Sequence, residues 1–559
     1  MTETRRRYAQ SNMSQNEDEE SLLPSGSAES SSNWKAKRKL KDESEWDPGL
    51  VVVAVLTMIL ISLFGVIYWL VYVAAQVPLL KYCLLTTHRF YDSSAGLPLP
   101  VASPCDTIEN GYQCTATLSH NWGQYSPYYS VPTDLSLRPP SGCKVTFAQL
   151  LSRHGARYPT SYKSNAYRET ITKIKNQATN LTGPYQFLQG YSYNLGSERL
   201  TAFGEQQLIN SGINFFNCYE SLATASTPFI RAGDQARVVA SARKWSEGFH
   251  KAKAASGADK DSAYPYPILE ISEAEGMNNT LDHGLCTAFE VSTAGQAKQH
   301  AFGDTFLPDI TARLKRDLSI NDLHELDTLS LMDMCPFTVV ATTAFSATDP
   351  ATNPFCALFT QSEWEKYDYF QSLGKYYRFG PGATLGPTQG VGYVNELIAR
   401  LTSSPVQDHT SVNHTLDDDA GTFPLGRALY ADFSHDNDMT AIFSALGLFD
   451  GIPVLSTERA MSVEEMGGYA ASRSVPFGGR AVVERLVCED EATLVEETVR
   501  VILNGRVWPL TTCGADMNGL CTLKKFVESL NFAREGGRWD ECFTVEKASR
   551  ATIEALGTL

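Results

Sequence analysis

The apolar and polar pattern changes character three times along the chain. Through residue 48 large apolar residues are scarce; the stretch holds Arg5-Arg6-Arg7, the acidic run Glu17-Asp-Glu-Glu20, serines from Ser25 to Ser32, and the basic cluster Lys35-Ala-Lys-Arg-Lys39. Such a segment cannot bury a core, so 1–48 is expected to be a disordered tail. Leu50 to Leu80 is uncharged and mostly apolar. A bilayer core needs roughly 20 helical residues, so the pattern predicts one transmembrane helix within 49–75, with Trp46, Tyr68, Trp69 and Tyr72 at the interfaces. The run starts late and exceeds the ~7–15-residue core of a cleavable leader, which favours an anchor. Residues 76–142, rich in Pro, Tyr and Ser, read as an arm with little regular structure.

From Cys143 the pattern becomes strand, loop, helix. Val145, Phe147, Leu150 and Leu151 mark a buried strand that runs into Leu151-Ser-Arg-His-Gly-Ala-Arg-Tyr-Pro159. Pro228 to Ala232 is a short apolar run before Gly233-Asp234, and Arg237 to Phe249 has helical spacing. Residues 250–385 carry amphipathic helical patterns, such as Leu307 to Leu318, and few strand signals. Gly390 to Thr402 predicts another helix. Ala428 to Phe433 predicts a second buried strand, followed by Ser434-His-Asp-Asn437 and a helix from Met439 to Leu448. Val499 to Leu503, then Asn504-Gly505, then Arg506 to Leu510 predicts a hairpin. Strands alternating with helices on both sides of a helical insertion predict an α/β core. Its first stretch is 143–249 and its second 386–545, with a mostly helical cap at 250–385 between them and an extension at 546–559.

The 559 residues allow a large core, and the net charge of −16 argues against nucleic acid as a partner. It says nothing of a local pocket, because clustered arginines make a positive cleft in an acidic protein. Lys35 to Lys41 flanks the amino side of the apolar run, and only Lys81 stands close on the other side. The positive-inside rule then gives a single-pass type II protein, with most of the chain lumenal or extracellular. All twelve cysteines follow the apolar run, which suits an oxidising compartment. So do the sequons at Asn180, Asn278 and Asn413. Asp18-Glu-Glu-Ser-Leu22-Leu23 resembles an acidic dileucine signal read by sorting adaptors, and equally suits a plain acidic tail. Vacuole, endosome and cell surface all remain open as destinations.

The chemistry concentrates at two strand ends, where ligands of α/β sheets bind. Arg153 and Arg157 flank His154 with Gly155 between, and forked guanidiniums match the paired oxygens of a phosphate. A His inside such a clamp is placed to attack phosphorus. At the second strand end, His435 can donate to the same phosphate. Asp436 can protonate a departing alkoxide, which needs a positioned acid.

Arg153-His-Gly-Ala-Arg-Tyr-Pro159 with a distant Ser434-His-Asp-Asn437 resembles the histidine acid phosphatase family, in its fungal phytase branch. Gly111-Tyr-Gln-Cys114, Trp122-Gly-Gln-Tyr125, Phe203-Gly-Glu-Gln206, Leu331-Met-Asp-Met-Cys335, Gly386 to Tyr393 and Tyr430-Ala-Asp-Phe433 are similar to that branch as well, over about 105–543. The resemblance implies a phosphoglycerate-mutase-like α/β core sheet flanked by helices, with an inserted cap. It implies His154 as nucleophile, Asp436 as proton donor, and Arg153, Arg157, Arg237 and His435 as phosphate binders, with Asn437 beside them. Arg231 and Arg243 are rivals for the place of Arg237. Gln124, Tyr125 and Lys163 match positions lining the family's substrate pocket. The resemblance also implies the disulfides Cys105–Cys114, Cys143–Cys488, Cys286–Cys542, Cys335–Cys356 and Cys513–Cys521. That leaves Cys218 as an unpaired thiol and Cys83 to link two chains of an otherwise monomeric protein. The cysteine spacings do not suit zinc, and no metal or cofactor is expected.

The implied activity is a 3-phytase-like hydrolysis of inositol hexakisphosphate through a phosphohistidine. One departure bears on the substrate: Phe345 to Asn353 contains no Lys or Arg, where fungal phytases usually have a basic residue. A broader phosphomonoesterase, or a membrane-anchored protein that binds phosphate without turning it over, are the alternatives. Intact His154 and Asp436 argue against the last.

Overall fold

The computed structural model describes residues 106–107, 111–112, 116–257, 263–341, 353–490 and 493–543. The expected tail and membrane span, the sorting motif, Cys83, Cys105, Cys114 and most of the 345–353 loop lie outside the described residues. Among the described residues no helix is long and apolar enough to cross a membrane.

Eight strands form the main sheet: β1 (Cys143–Arg153), β2 (Phe229–Gly233), β3 (Ile268–Ile271), β4 (Leu429–Ser434), β5 (Arg480–Asp490), β6 (Thr493–Leu503), β7 (Arg506–Trp508) and β8 (Cys521–Thr522). Their order is β8-β6-β5-β1-β4-β2-β3, with β7 paired to β6. β1, β4, β2 and β3 are parallel, and β5 to β8 extend the sheet antiparallel. Of the parallel strands, β1 from Phe147 on, most of β2, and all of β4 are buried on both faces, which is why they read as apolar runs.

Side chains alternate along β1 with the period of two that a strand imposes. Ala148 and Leu150 face one core, with Leu208, Phe215, Val238, Trp245 and Phe249. These come from helices α1 (Ala202–Cys218) and α2 (Ala236–Ala255), which cover that face. The two helices cross closely. A Cβ at Gly212 would stand 2.0 Å from the Trp245 carbonyl, and one at Gly248 2.0 Å from that of Ile209. Phe147 and Leu151 face the larger core. It is built largely from α3 (Leu307–Leu318), α4 (Glu325–Ala341), α5 (Gln361–Arg378) and α6 (Val391–Thr402). A capping box between Thr360 and Glu363 starts α5.

Several expectations hold closely. Leu307–Leu318 is one helix, and Asn504 (φ 47°) and Gly505 (φ 76°) turn between β6 and β7 with both φ angles positive, as a tight hairpin requires. Two differ. Ile268–Ile271, inside the stretch read as a helical insertion, is a strand parallel to β2. Four residues are too few to show a period. Cys218, expected as an unpaired thiol, is disulfide-bonded. The other described cysteines form Cys143–Cys488, Cys286–Cys542, Cys335–Cys356 and Cys513–Cys521.

One contact joins the fold to the strand-end motif. Thr201 caps α1 by accepting from the Gly204 N–H (3.1 Å), and its own N–H donates to the Ala156 carbonyl (2.9 Å). A Cβ at Gly204 would stand 1.9 Å from that carbonyl oxygen, and one at Gly155 2.3 Å from the Gly204 oxygen. Gly204→Ala must therefore push helix and loop apart; denaturant unfolding should show a loss of about 1–3 kcal/mol. An unchanged midpoint would contradict the packing described.

Candidate active site

The parallel register of β1 on β4 pairs Arg153 with Ser434, so the two strand-end loops leave the sheet side by side. The His154 N–H donates to the Ser434 carbonyl (3.1 Å). The Gly155 N–H donates to Ser241 Oγ (3.1 Å) and the Ala156 N–H to Gln207 Oε1 (2.9 Å), so α1 and α2 hold the loop by its backbone. His435 immediately precedes α7 (Asp436–Ala445) without capping it through its side chain, and Asp436 opens the first turn. The rings of His154 and His435 meet edge to face at 5.5 Å.

His154 Nδ1 lies 2.9 Å from the Gly155 carbonyl oxygen. That oxygen only accepts, so the contact assigns the proton to Nδ1 and leaves the Nε2 lone pair available. Burial, then the charges of Arg153, Arg237 and Arg157, hold this imidazole well below its usual range. A neutral ring with a free nitrogen is what nucleophilic attack requires.

Arg153 is fully buried. Its Nη1 donates to the Gln124 and Val475 carbonyls, and its guanidinium carbon lies 4.5 Å from the centre of the Phe477 ring. Arg157 Nη1 donates to the Tyr158 carbonyl (2.9 Å), and Arg237 pairs with Glu198 (3.1 Å). Burial, and then Arg157 beside it, push Arg237 down to about 10, still a cation at any working pH. Arg231 and Arg243 are elsewhere. Arg231 is buried between Asp432 and Glu396, and Arg243 is exposed against Glu270.

Arg153 Nε and Nη2, Arg157 Nε and Arg237 Nε are buried with no hydrogen-bond acceptor among the described residues. Buried donors are ordinarily satisfied, and three guanidiniums together repel one another. Both terms favour an anion with several acceptor oxygens beside His154.

Asp436 is held from two sides. Oδ1 lies 3.4 Å from Arg153 Nη2, and Oδ2 pairs with Lys375 Nζ, which also donates to Asn437. Burial favours the neutral acid, yet Arg153 and Lys375 outweigh it and hold the carboxyl well below the usual carboxylate range. Burial brings Lys375 down to about 8, partly offset by Asp436. Neither Lys375 nor Glu273, which reaches His435 Nε2, was expected from sequence. For Lys375 a signal exists: it is one of few charges in the long aromatic run Tyr367 to Tyr377, all of it buried. Glu273 follows a strand that was itself missed.

Gln124 adjoins Arg153, whose Nη1 donates to its carbonyl, and Tyr125 follows it in the chain beside Lys163. Gln124 Nε2 donates to Gln371 (2.9 Å), and Lys163 Nζ lies 5.2 Å from the Tyr125 ring centre. Lys163 pairs with Asp333, which also accepts from Tyr167 and Tyr367. Burial opposes the charge on Lys163, but Asp333 outweighs it and raises the lysine above its usual value.

Residues 144–504 match the family described as histidine phosphatase superfamily (branch 2). Phytase A of Aspergillus oryzae is 52% identical over 452 residues, 79% of this chain and 96% of the relative. Phytase A of Aspergillus fumigatus is 50% identical over 454 residues, 81% of this chain and 95% of the relative. Among solved structures, the phytase from D. castellii shares the fold with a TM-score of 0.61 at 21% identity, covering 76% of this chain and 87% of that one. Motif, fold and relatives agree that this chain belongs to the histidine phosphatase superfamily, branch 2.

Proposed function

We propose that this chain is a phytase-like histidine acid phosphatase whose preferred substrate is inositol hexakisphosphate. The observation that carries the reading is the set of unpartnered buried guanidinium donors around a neutral His154 with Nε2 free. The phosphoryl group sits among Arg153, Arg157, Arg237 and His435. His154 Nε2 attacks phosphorus as the P–O bond to the leaving group breaks, and Asp436 gives its proton to the departing alkoxide. In the second half Asp436 takes a proton from water, which attacks the phosphohistidine and releases inorganic phosphate and His154.

The first half needs Asp436 protonated, while the ligand-free site holds it ionised. The incoming phosphate resolves this. It competes for Arg153 and brings negative charge beside Asp436, and burial then favours the neutral acid. Lys163 and Lys375 add cations suited to a substrate with many phosphates, and the Aspergillus relatives named phytase support that choice. The lack of a basic residue in 345–353 favours the broader phosphomonoesterase as the second reading.

The same reading makes the protein a single-pass type II membrane protein. Its division is a cytosolic tail (1–48), a span (49–75), an arm (76–142), an α/β core in two stretches (143–249 and 386–545) around a helical cap (250–385), and an extension (546–559). Supporting it are the charge asymmetry about the apolar run, the disulfides, and the exposure of the sequon residues Asn180 and Asn278.

Phosphate release from inositol hexakisphosphate and from an aryl phosphate at acidic pH tests the reading. His154→Ala should lower both by at least about 10³-fold; release from the aryl phosphate alone would favour the broader enzyme, and an active variant would sink the nucleophile. On inositol hexakisphosphate kcat should fall as pH rises toward neutral, because deprotonating Asp436 removes the acid that the alkoxide needs; a profile flat into the alkaline range would contradict that role. Lys375→Met removes a charge that lowers Asp436, so the alkaline limb of kcat should move up by about one pH unit while KM for inositol hexakisphosphate rises. A limb that stays in place would show that Lys375 does not govern the acid.

A further inference from the structure

The site holds one carboxylate that the reaction above does not use. Glu273 follows β3, its side chain is only 5% exposed, and both carboxylate oxygens face His435 Nε2, at 3.0 and 3.2 Å. Its place is built from two directions. The Glu273 N–H donates to Asp234 Oδ1 (3.1 Å) at the end of β2. Gly233 leaves the room for the carboxylate, since a Cβ there would stand 1.9 Å from Glu273 Oε1.

The two carboxylate oxygens take up His435 Nε2 as their hydrogen-bond partner. The other nitrogen, Nδ1, is then the one left to meet a phosphoryl oxygen. We infer that Glu273 is a positioning residue for the phosphatase reaction: by holding Nε2 it fixes the orientation of the His435 ring and leaves Nδ1 to face the phosphate.

The other charged neighbours leave this role to Glu273. His154 faces His435 edge-on and is neutral. Asp282 and Asp438 also act on His435, but burial pushes Asp282 up to about 7 and raises Asp438 as well. His283 Nε2 lies 3.9 Å from Asp438 Oδ1. Burial opposes its charge, yet Asp438, Glu290 and Asp282 push it up to about 9, so its cation offsets those carboxylates. Arg237, from α2, acts on Glu273 from the phosphate side and keeps a cation near it. Only Glu273 is in hydrogen-bond contact with the His435 side chain among the described residues.

The inference rests on the phosphatase reading, and the test separates the two. Phosphate release from phenyl phosphate by the full chain is followed across pH for wild type, Glu273→Gln, Glu273→Asp, His435→Ala and the pair Glu273→Gln with His435→Ala. Glu273→Gln keeps size and acceptor but removes the charge. It should raise KM about ten-fold, with a smaller effect on kcat. Glu273→Asp keeps the carboxylate at a longer reach and should recover part of the loss in KM; it also serves if Glu273→Gln does not fold. In the His435→Ala background the Glu273→Gln change should have little further effect. A Glu273→Gln enzyme with the wild-type KM, or an equal loss in both backgrounds, overturns the inference and leaves the reading intact. No release by wild type overturns both.

Discussion

Everything in this site follows from placing more positive charge around one imidazole than the protein itself neutralises. Arg153, Arg157 and Arg237 are buried or nearly so and bring donors that no described residue accepts. Such an arrangement is unfavourable alone, because like charges repel and desolvated N–H groups lose water. A bound phosphate answers both needs. The same field keeps His154 neutral and Asp436 ionised until an anion arrives. In the proposed reaction, one constraint thus sets nucleophile, acid and ligand together.

The fold holds that charge in place through backbone contacts and a second layer of ion pairs. The register of Arg153 on Ser434 puts the two functional loops in contact, and the close approach of Gly155 and Gly204 presses α1 onto the first. Beneath the second loop, Asp432 on β4 is buried between Arg231 and Arg400, and Arg231 also pairs with Glu396. Breaking one member of such a group leaves a buried charge uncompensated. The network therefore stiffens β4 just below His435 and Asp436.

Much of this was legible in the sequence because local signals and function coincide there. The apolar runs into Arg153 and Ser434 are buried parallel strands. The arginines that flank His154 stand within three residues of it, and Asn504-Gly505 encodes its turn in its own residue types. Ile268–Ile271 was not legible, since a four-residue strand carries no period and is fixed by pairing with β2. Glu273 was hidden with it. Lys375 and Asp333 reach the site from helices distant in sequence, so only the packed fold shows that they meet Asp436 and Lys163. The pairing of Cys218 was missed for the opposite reason: the resemblance supplied partners for other cysteines and none for it.

The most direct test of the central claim is to trap the covalent intermediate. Asp436→Asn lacks the group that activates water, while the acidic leaving group of 4-nitrophenyl phosphate departs without needing a proton. Rapid quenching of this variant with ³²P-labelled aryl phosphate should therefore accumulate an acid-labile, base-stable label on the peptide carrying His154. A label on another residue, or turnover in wild type with no labelled enzyme at any time in either protein, would contradict a phosphohistidine formed at this imidazole.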